Sequence, residues 1–189
     1  MKSIVLFSVL ILVASVFLYS SYRSQNSVSI SSTEAVNTSQ ESFSTIEKLE
    51  NPYYSRTDTN KLTLTDAQWK KVLSPDLYAV SREKDTERPF TGKYWEFSGK
   101  GTYYCSACGF KLFRSDAKFA SSCGWPSFFE QENLSSVVYE IDKAYGMERT
   151  EALCGRCEGH LGHLFDDGPK PTGKRYCMNS ICLDFVADH

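Results

Sequence analysis

The sequence has no Gly-rich phosphate loop and no dinucleotide-binding fingerprint, which removes the usual basis for holding a nucleotide, flavin or nicotinamide. It has no basic excess either. The formal net charge is −2, with 21 Lys and Arg against 23 Asp and Glu. That argues against a nucleic-acid partner, which a strongly basic domain normally announces. Internal repeats are absent, so a solenoid is excluded. No cysteine follows the apolar run at the N-terminus, which argues against a bacterial lipoprotein signal, and no clean small-x-small cleavage site follows it.

What is present is enough for one packed domain with extra segments. The 189 residues are 41% hydrophobic and 14% aromatic. Residues 4–19 are apolar, with Lys2 before them and Arg23 after. This run exceeds a typical signal-peptide core, and residues 20–22 bring it into the range of a membrane span. Residues 1–22 are therefore expected to be a signal anchor, or a cleaved signal peptide. The domain would be membrane-anchored on the periplasmic or secretory-pathway side, or secreted or lumenal after cleavage. Residues 23–60, rich in Ser and Thr up to Thr45 and without hydrophobic periodicity, read as a flexible tether. The folded domain is expected over 61–189.

Within it, Thr65 and Gln68 have the spacing of a capping box, and Trp69, Val72 and Leu73 share one helical face up to Pro75. Beyond Arg82, short aromatic and β-branched runs alternate with Gly, Pro and Asp at 94–97, 102–104, 137–141, 150–153 and 181–186. These predict short antiparallel strands in a small sheet or barrel.

Seven cysteines carry the functional question. Cys105-Ser106-Ala107-Cys108 and Cys154-Gly155-Arg156-Cys157 are two CxxC knuckles, which together supply four thiolates for a closed tetrahedral site. A structural zinc is expected there, with no open position for catalysis. Two disulfides or a dithiol redox centre are the alternatives. Cys123 lies in Ser122-Cys123-Gly124-Trp125-Pro126-Ser127-Phe128, and Cys177 in Arg175-Tyr176-Cys177-Met178-Asn179-Ser180. Between them run Gly159-His160-Leu161-Gly162-His163 and Asp167-Gly168-Pro169. By residue type alone, a cysteine with nearby histidines suits a thiol hydrolase, a metal site or a redox thiol.

These motifs, with the two knuckles and Arg88-Pro89-Phe90-Thr91-Gly92-Lys93-Tyr94, resemble in order and spacing those of the methionine-R-sulfoxide reductases, the MsrB family, over about residues 62–187. The resemblance implies a mainly β fold of two small antiparallel sheets, barrel-like, with short flanking helices and a zinc held by Cys105, Cys108, Cys154 and Cys157. It implies Cys177 as nucleophile and Cys123 as resolving cysteine. His160, His163, Asn179 and Trp125 match active-site positions. It further implies the R epimer at sulfur, in oxidised proteins or peptides, and thioredoxin as reductant.

The residues suggest how. The sulfoxide oxygen needs a proton, for which His163, supported by His160, is the candidate. Arg175 and the histidines are expected to favour a Cys177 thiolate, and Arg175 is expected, with Trp125, to line the substrate site. Asn179 is expected to orient substrate or water, and Trp125 to offer its ring to the substrate methyl. Attack makes a sulfenic acid on Cys177, which condenses with Cys123 to a disulfide; no flavin or nicotinamide is needed. The family usually carries a small residue at the position of Cys182, which is read as a packed core thiol. Two rivals stay open: a zinc-ribbon binding module, which has no use for Cys177, and a Cys/His hydrolase, which needs no reductant.

Overall fold

The computed structural model describes residues 51–189. The apolar run at 4–19 and most of the expected tether lie outside them. No helix among the described residues is long and apolar enough to cross a membrane.

Thr65 starts the first helix, α1 (Asp66–Val72), through the expected capping box. Pro75 then does more than end it. Pro75 occupies the first turn of a second helix, α2 (Pro75–Glu83), with Ser74 as its cap. A proline there loses nothing, because its missing N–H would have had no helical partner. Trp69 of α1 is fully buried, and the Arg82 guanidinium of α2 lies 5.3 Å from its ring centre.

The strands form two antiparallel sheets. β1 (Gly101–Cys105) lies between β2 (Lys111–Arg114) and β9 (Leu183–Ala187) in the smaller. The larger has the order β3-β4-β8-β7-β6-β5. Its members are β3 (Lys118–Phe119), β4 (Ser127–Phe128), β5 (Val137–Asp142), β6 (Arg149–Cys154), β7 (His160–Phe165) and β8 (Arg175–Met178). The mainly β expectation with two sheets and short helices is therefore met.

Aromatic rings join the sheets. Phe113 of β2 stacks on Phe128 of β4, with centroids 4.3 Å apart and planes 10° apart, and Tyr103 of β1 meets Phe128 edge-on at 4.9 Å. All three are fully buried. Such contacts add roughly 0.5–1.5 kcal/mol each beyond simple burial.

Three expectations need correction. The 94–97 run is a turn, not a strand. The Tyr94 N–H goes to Ser180 Oγ and the Trp95 N–H to the Gly92 carbonyl, so the backbone has other partners while the Tyr94 ring packs on Tyr103. Residues 180–182 form a 3-10 turn before β9 begins. Residues 51–60, read as the end of the tether, are packed. Arg156, almost wholly buried, donates to the carbonyls of Tyr53, Asn60 and Cys108 and pairs with Asp58 at 2.5 Å. Asn51 and Ser55 bond the backbone of Ala107 and Cys108. Low hydrophobic periodicity concealed a segment held by hydrogen bonds rather than by an apolar face.

Candidate active site and four-cysteine cluster

The larger sheet brings one row of side chains onto a single face. Directly opposed residues of antiparallel strands point the same way. Across β4, β8, β7, β6 and β5, the opposed residues are Ser127, Cys177, His163, Glu151 and Glu140. Cys177 thus sits on an inner strand, flanked by a hydroxyl and an imidazole.

His160 joins this row by an irregularity. Three residues apart on a regular strand, His160 and His163 would face opposite ways. Between the pairs Leu153–His160 and Ala152–Gly162, however, β7 carries one extra residue. A bulge of this kind re-aims a side chain. His160 Nδ1 consequently lies 2.6 Å from Glu151 Oε1, and the two imidazoles meet edge-on at 5.4 Å. Gly162 is required by close approach: a Cβ there would stand 2.0 Å from the Cys177 carbonyl oxygen.

Cys123 reaches the row from the loop between β3 and β4. Its Sγ lies 3.4 Å from Cys177 Sγ and 3.4 Å from Ser127 Oγ. Gly124 beside it has φ +92°, and a Cβ there would lie 2.8 Å from Pro89 Cβ. The two sulfurs compete for one charge. Burial opposes a Cys123 thiolate, but hydrogen bonds from Ser121, Ser127, the Trp125 backbone and Cys177 outweigh it and hold this thiol down at about 7. Burial, and then the neighbouring Cys123, push Cys177 up to about 12. Arg175 does pull Cys177 downward, as expected, but burial wins. The Arg175 fork is also engaged with Asp167, through two bonds of 2.8 Å, and its guanidinium lies 4.2 Å from the Phe165 ring centre.

The other anticipated residues are near this row in different capacities. His163 holds Asp142 Oδ2 through Nε2 at 2.8 Å, and Arg149 reaches the same oxygen at 2.6 Å. The Ala144 N–H, His163 and Arg149 hold the Asp142 carboxyl well below the usual range. Trp125 is half-buried, with its indole N–H fixed 2.9 Å from the Glu87 carbonyl. Asn179 is buried, and its amide is engaged inside the fold: Oδ1 accepts from the Glu87 N–H and Nδ2 donates to the Leu161 carbonyl. Both groups of the Asn179 amide thus have a partner within the fold. Cys182 is buried, as expected of a core thiol.

Glu87, Asp142, Arg149 and Glu151 had not been singled out. Glu87 meets Asn179 and Trp125 through its backbone and the Ser180 N–H through Oε2 at 2.8 Å, so it ties the 84–95 segment to the Cys123 loop and to the end of β8. The only sequence signal was its place beside the Arg88–Tyr94 motif.

The two knuckles converge where β1 and β6 end. Cys105 ends β1 and Cys154 ends β6, so each turn contributes one CxxC. The four Sγ atoms lie within 4.8 Å of one another, with Cys105–Cys157 at 3.8 Å and Cys108–Cys154 at 3.6 Å, and all four side chains are buried. A tetrahedron of thiolates about 2.3 Å from a metal has edges of about 3.8 Å. The donor set therefore fits a metal ion, and the separations are too long for disulfide bonds of about 2.05 Å.

Comparison with known proteins agrees with the geometry. The SelR domain model matches residues 73–187. A Thiobacillus denitrificans protein named peptide methionine sulfoxide reductase MsrB is 57% identical over 121 residues, covering 64% of this chain and 92% of its own. Its namesake from Herminiimonas arsenicoxydans is 52% identical over 129 residues, covering 68% and 94%. One from Acinetobacter baumannii is 53% identical over 123 residues, covering 65% and 88%. With two cysteines in contact on a histidine-bearing sheet and a matched domain over most of the described residues, this chain belongs to the SelR-domain family, that of the MsrB peptide methionine sulfoxide reductases.

Proposed function

We propose that this protein reduces methionine R-sulfoxide in oxidised proteins and peptides to methionine, by thiol chemistry at Cys177 and Cys123. The observation that carries this reading is the 3.4 Å approach of the two sulfurs beside His163. The Cys177 sulfur attacks the substrate sulfur and passes its proton to the Cys123 thiolate. The sulfoxide oxygen takes its proton from a His163 imidazolium, which holds Asp142 through Nε2–H and donates through Nδ1–H to become neutral, and moves to Cys177. Cys177 is oxidised to a sulfenic acid, and the substrate sulfur is reduced to the thioether. Cys123–SH then attacks the sulfenic sulfur, and the disulfide forms with release of water. A thioredoxin-like dithiol returns the pair to thiols. Trp125, anchored through its N–H, offers its ring face to the substrate methyl. Arg175 lines the site and favours charge on Cys177.

Zinc is the metal we assign to Cys105, Cys108, Cys154 and Cys157. Four buried thiolates close the coordination shell, so its part is to hold the two turns together. The apolar 4–19 segment would deliver the domain to the exported side of a membrane, anchored or cleaved, and the reductant would then be a thioredoxin-like protein of that side.

The test uses the full chain with a racemic methionine sulfoxide peptide and dithiothreitol. One epimer alone should be consumed, and Cys177→Ser should abolish turnover. Cys123→Ser should lose far more activity with thioredoxin than with dithiothreitol. Absence of turnover with the metal bound and the fold intact would refute the reading. Peptide hydrolysis without any reductant would favour the hydrolase instead.

A further inference from the structure

A chain of charge runs from the surface to a buried end behind the histidine pair. Lys84, the left-handed cap that closes α2, reaches Glu151 Oε2 with its ammonium at 2.7 Å and Glu140 at 3.7 Å. Glu151 Oε1 meets His160 Nδ1 at 2.6 Å, and both side chains are only 3% exposed. A carboxylate this buried is costly unless paired, and here each oxygen has a partner. Burial also disfavours charge on His160 and pushes its imidazolium down.

These facts assign the protons. A neutral imidazole carries one N–H. The Glu151 carboxylate can only accept, so the proton stands on Nδ1 and Nε2 keeps its lone pair. That Nε2 is buried and has no protein partner. Leaving such an acceptor unmatched is costly, so its presence points to a donor from outside the chain. The His160 ring packs on His163, which stands opposite Cys177.

We propose that Glu151 and Lys84 are positioning residues that lock His160 as the neutral Nδ1–H tautomer, so that its Nε2 accepts a hydrogen bond from an O–H donor at the reaction centre, a water or the sulfenic acid hydroxyl. Glu151 selects the nitrogen that bears the proton. Lys84 balances the Glu151 charge, so that the carboxylate does not draw a second proton onto the ring. This deepens the sulfoxide reductase reading and rests on it for the chemistry, while the tautomer itself does not depend on turnover.

Three histidines make the chain accessible to 15N-histidine NMR. At pH 7 the full chain should show His160 protonated at Nδ1 and bare at Nε2. Lys84→Met should convert it to the doubly protonated form, because Glu151 then lacks its cation. Glu151→Gln should let the two tautomers mix. Both variants should slow single-turnover release of methionine by about tenfold or more, less than the ~10²–10⁴ of a direct acid–base group. Closure of the Cys123–Cys177 disulfide should keep its rate. Lys84 is more than half exposed, so that variant decides the matter even if Glu151→Gln does not fold. A wild-type His160 protonated at Nε2, or a Lys84→Met variant with His160 still neutral, would overturn the proposal. A correct tautomer with no sulfoxide turnover would instead leave the positioning of His160 standing and remove the reductase reading.

Discussion

Iodoacetamide at pH 7 should alkylate Cys123 before Cys177. Two thiols in contact lose their protons in separate steps. The first leaves near pH 7, mainly from Cys123, and the second is held back until about 12 at Cys177. At pH 7 about half of the molecules then carry a Cys123 thiolate, against about one in 10⁵ for Cys177. The rarer thiolate is the stronger nucleophile, and a Brønsted slope of about 0.4–0.5 returns roughly two of those orders of magnitude. The net preference for Cys123 is roughly 10²- to 10³-fold. Peptide mapping by mass spectrometry after a short pulse of reagent measures it directly. The rate should rise with pH through about 7 and level off above, since it follows the deprotonated form. In Cys123→Ser, Cys177 loses the neighbouring charge but not its burial. Its labelling midpoint should fall below 12 yet stay above the ordinary ~8.5. First labelling at Cys177, or a Cys177 rate unchanged by Cys123→Ser, would refute this division of charge. It would also refute the step in which Cys123 receives the Cys177 proton.

The cysteine cluster and the Cys123 loop give two further tests. Cys108→Ser should release the metal, lower unfolding stability by more than about 3 kcal/mol, and open residues 51–62 to proteolysis, because Ser55 and Arg156 both bond the Cys108 carbonyl; metal content, thermal unfolding and limited digestion read this out. Gly124→Ala should cost about 1–2 kcal/mol for the left-handed backbone alone and slow disulfide closure more than sulfoxide attack, since the added methyl meets Pro89 and shifts Cys123; urea unfolding and rapid-quench thiol counting separate the two effects.

Much of this site could be read from residue order, and what could not has identifiable causes. The knuckles were legible because metal-binding thiols require a short turn, and the spacing itself states the requirement. Cys123 and Cys177 were legible as a pair only through the motif, since 54 residues of chain separate them. The shared face of His160 and His163 was not legible. It depends on one unpaired residue in β7, and a bulge leaves no periodic trace. The neighbours that engage Asn179 and Arg175, Glu87 and Asp167, were not legible as their partners, since only folding brings them together. The second helix was missed because Pro75 was read as a stop, although the same residue serves equally well as a start. Residues 51–60 were missed because their anchor, the Arg156 side chain, lies nearly a hundred residues away.

The burial of five of the seven thiols has a consequence for survival under peroxide. Cys105, Cys108, Cys154, Cys157 and Cys182 are closed off from solvent, and only Cys123 and Cys177 are partly open. Sulfenic acid left without a neighbour goes on to irreversible sulfinic and sulfonic acids. An oxidant reaching this protein therefore meets first the two sulfurs that can arrest such damage by bonding to each other. By the mechanism proposed above, exposure to the oxidant leaves the same disulfide as turnover, and a dithiol reductant erases both.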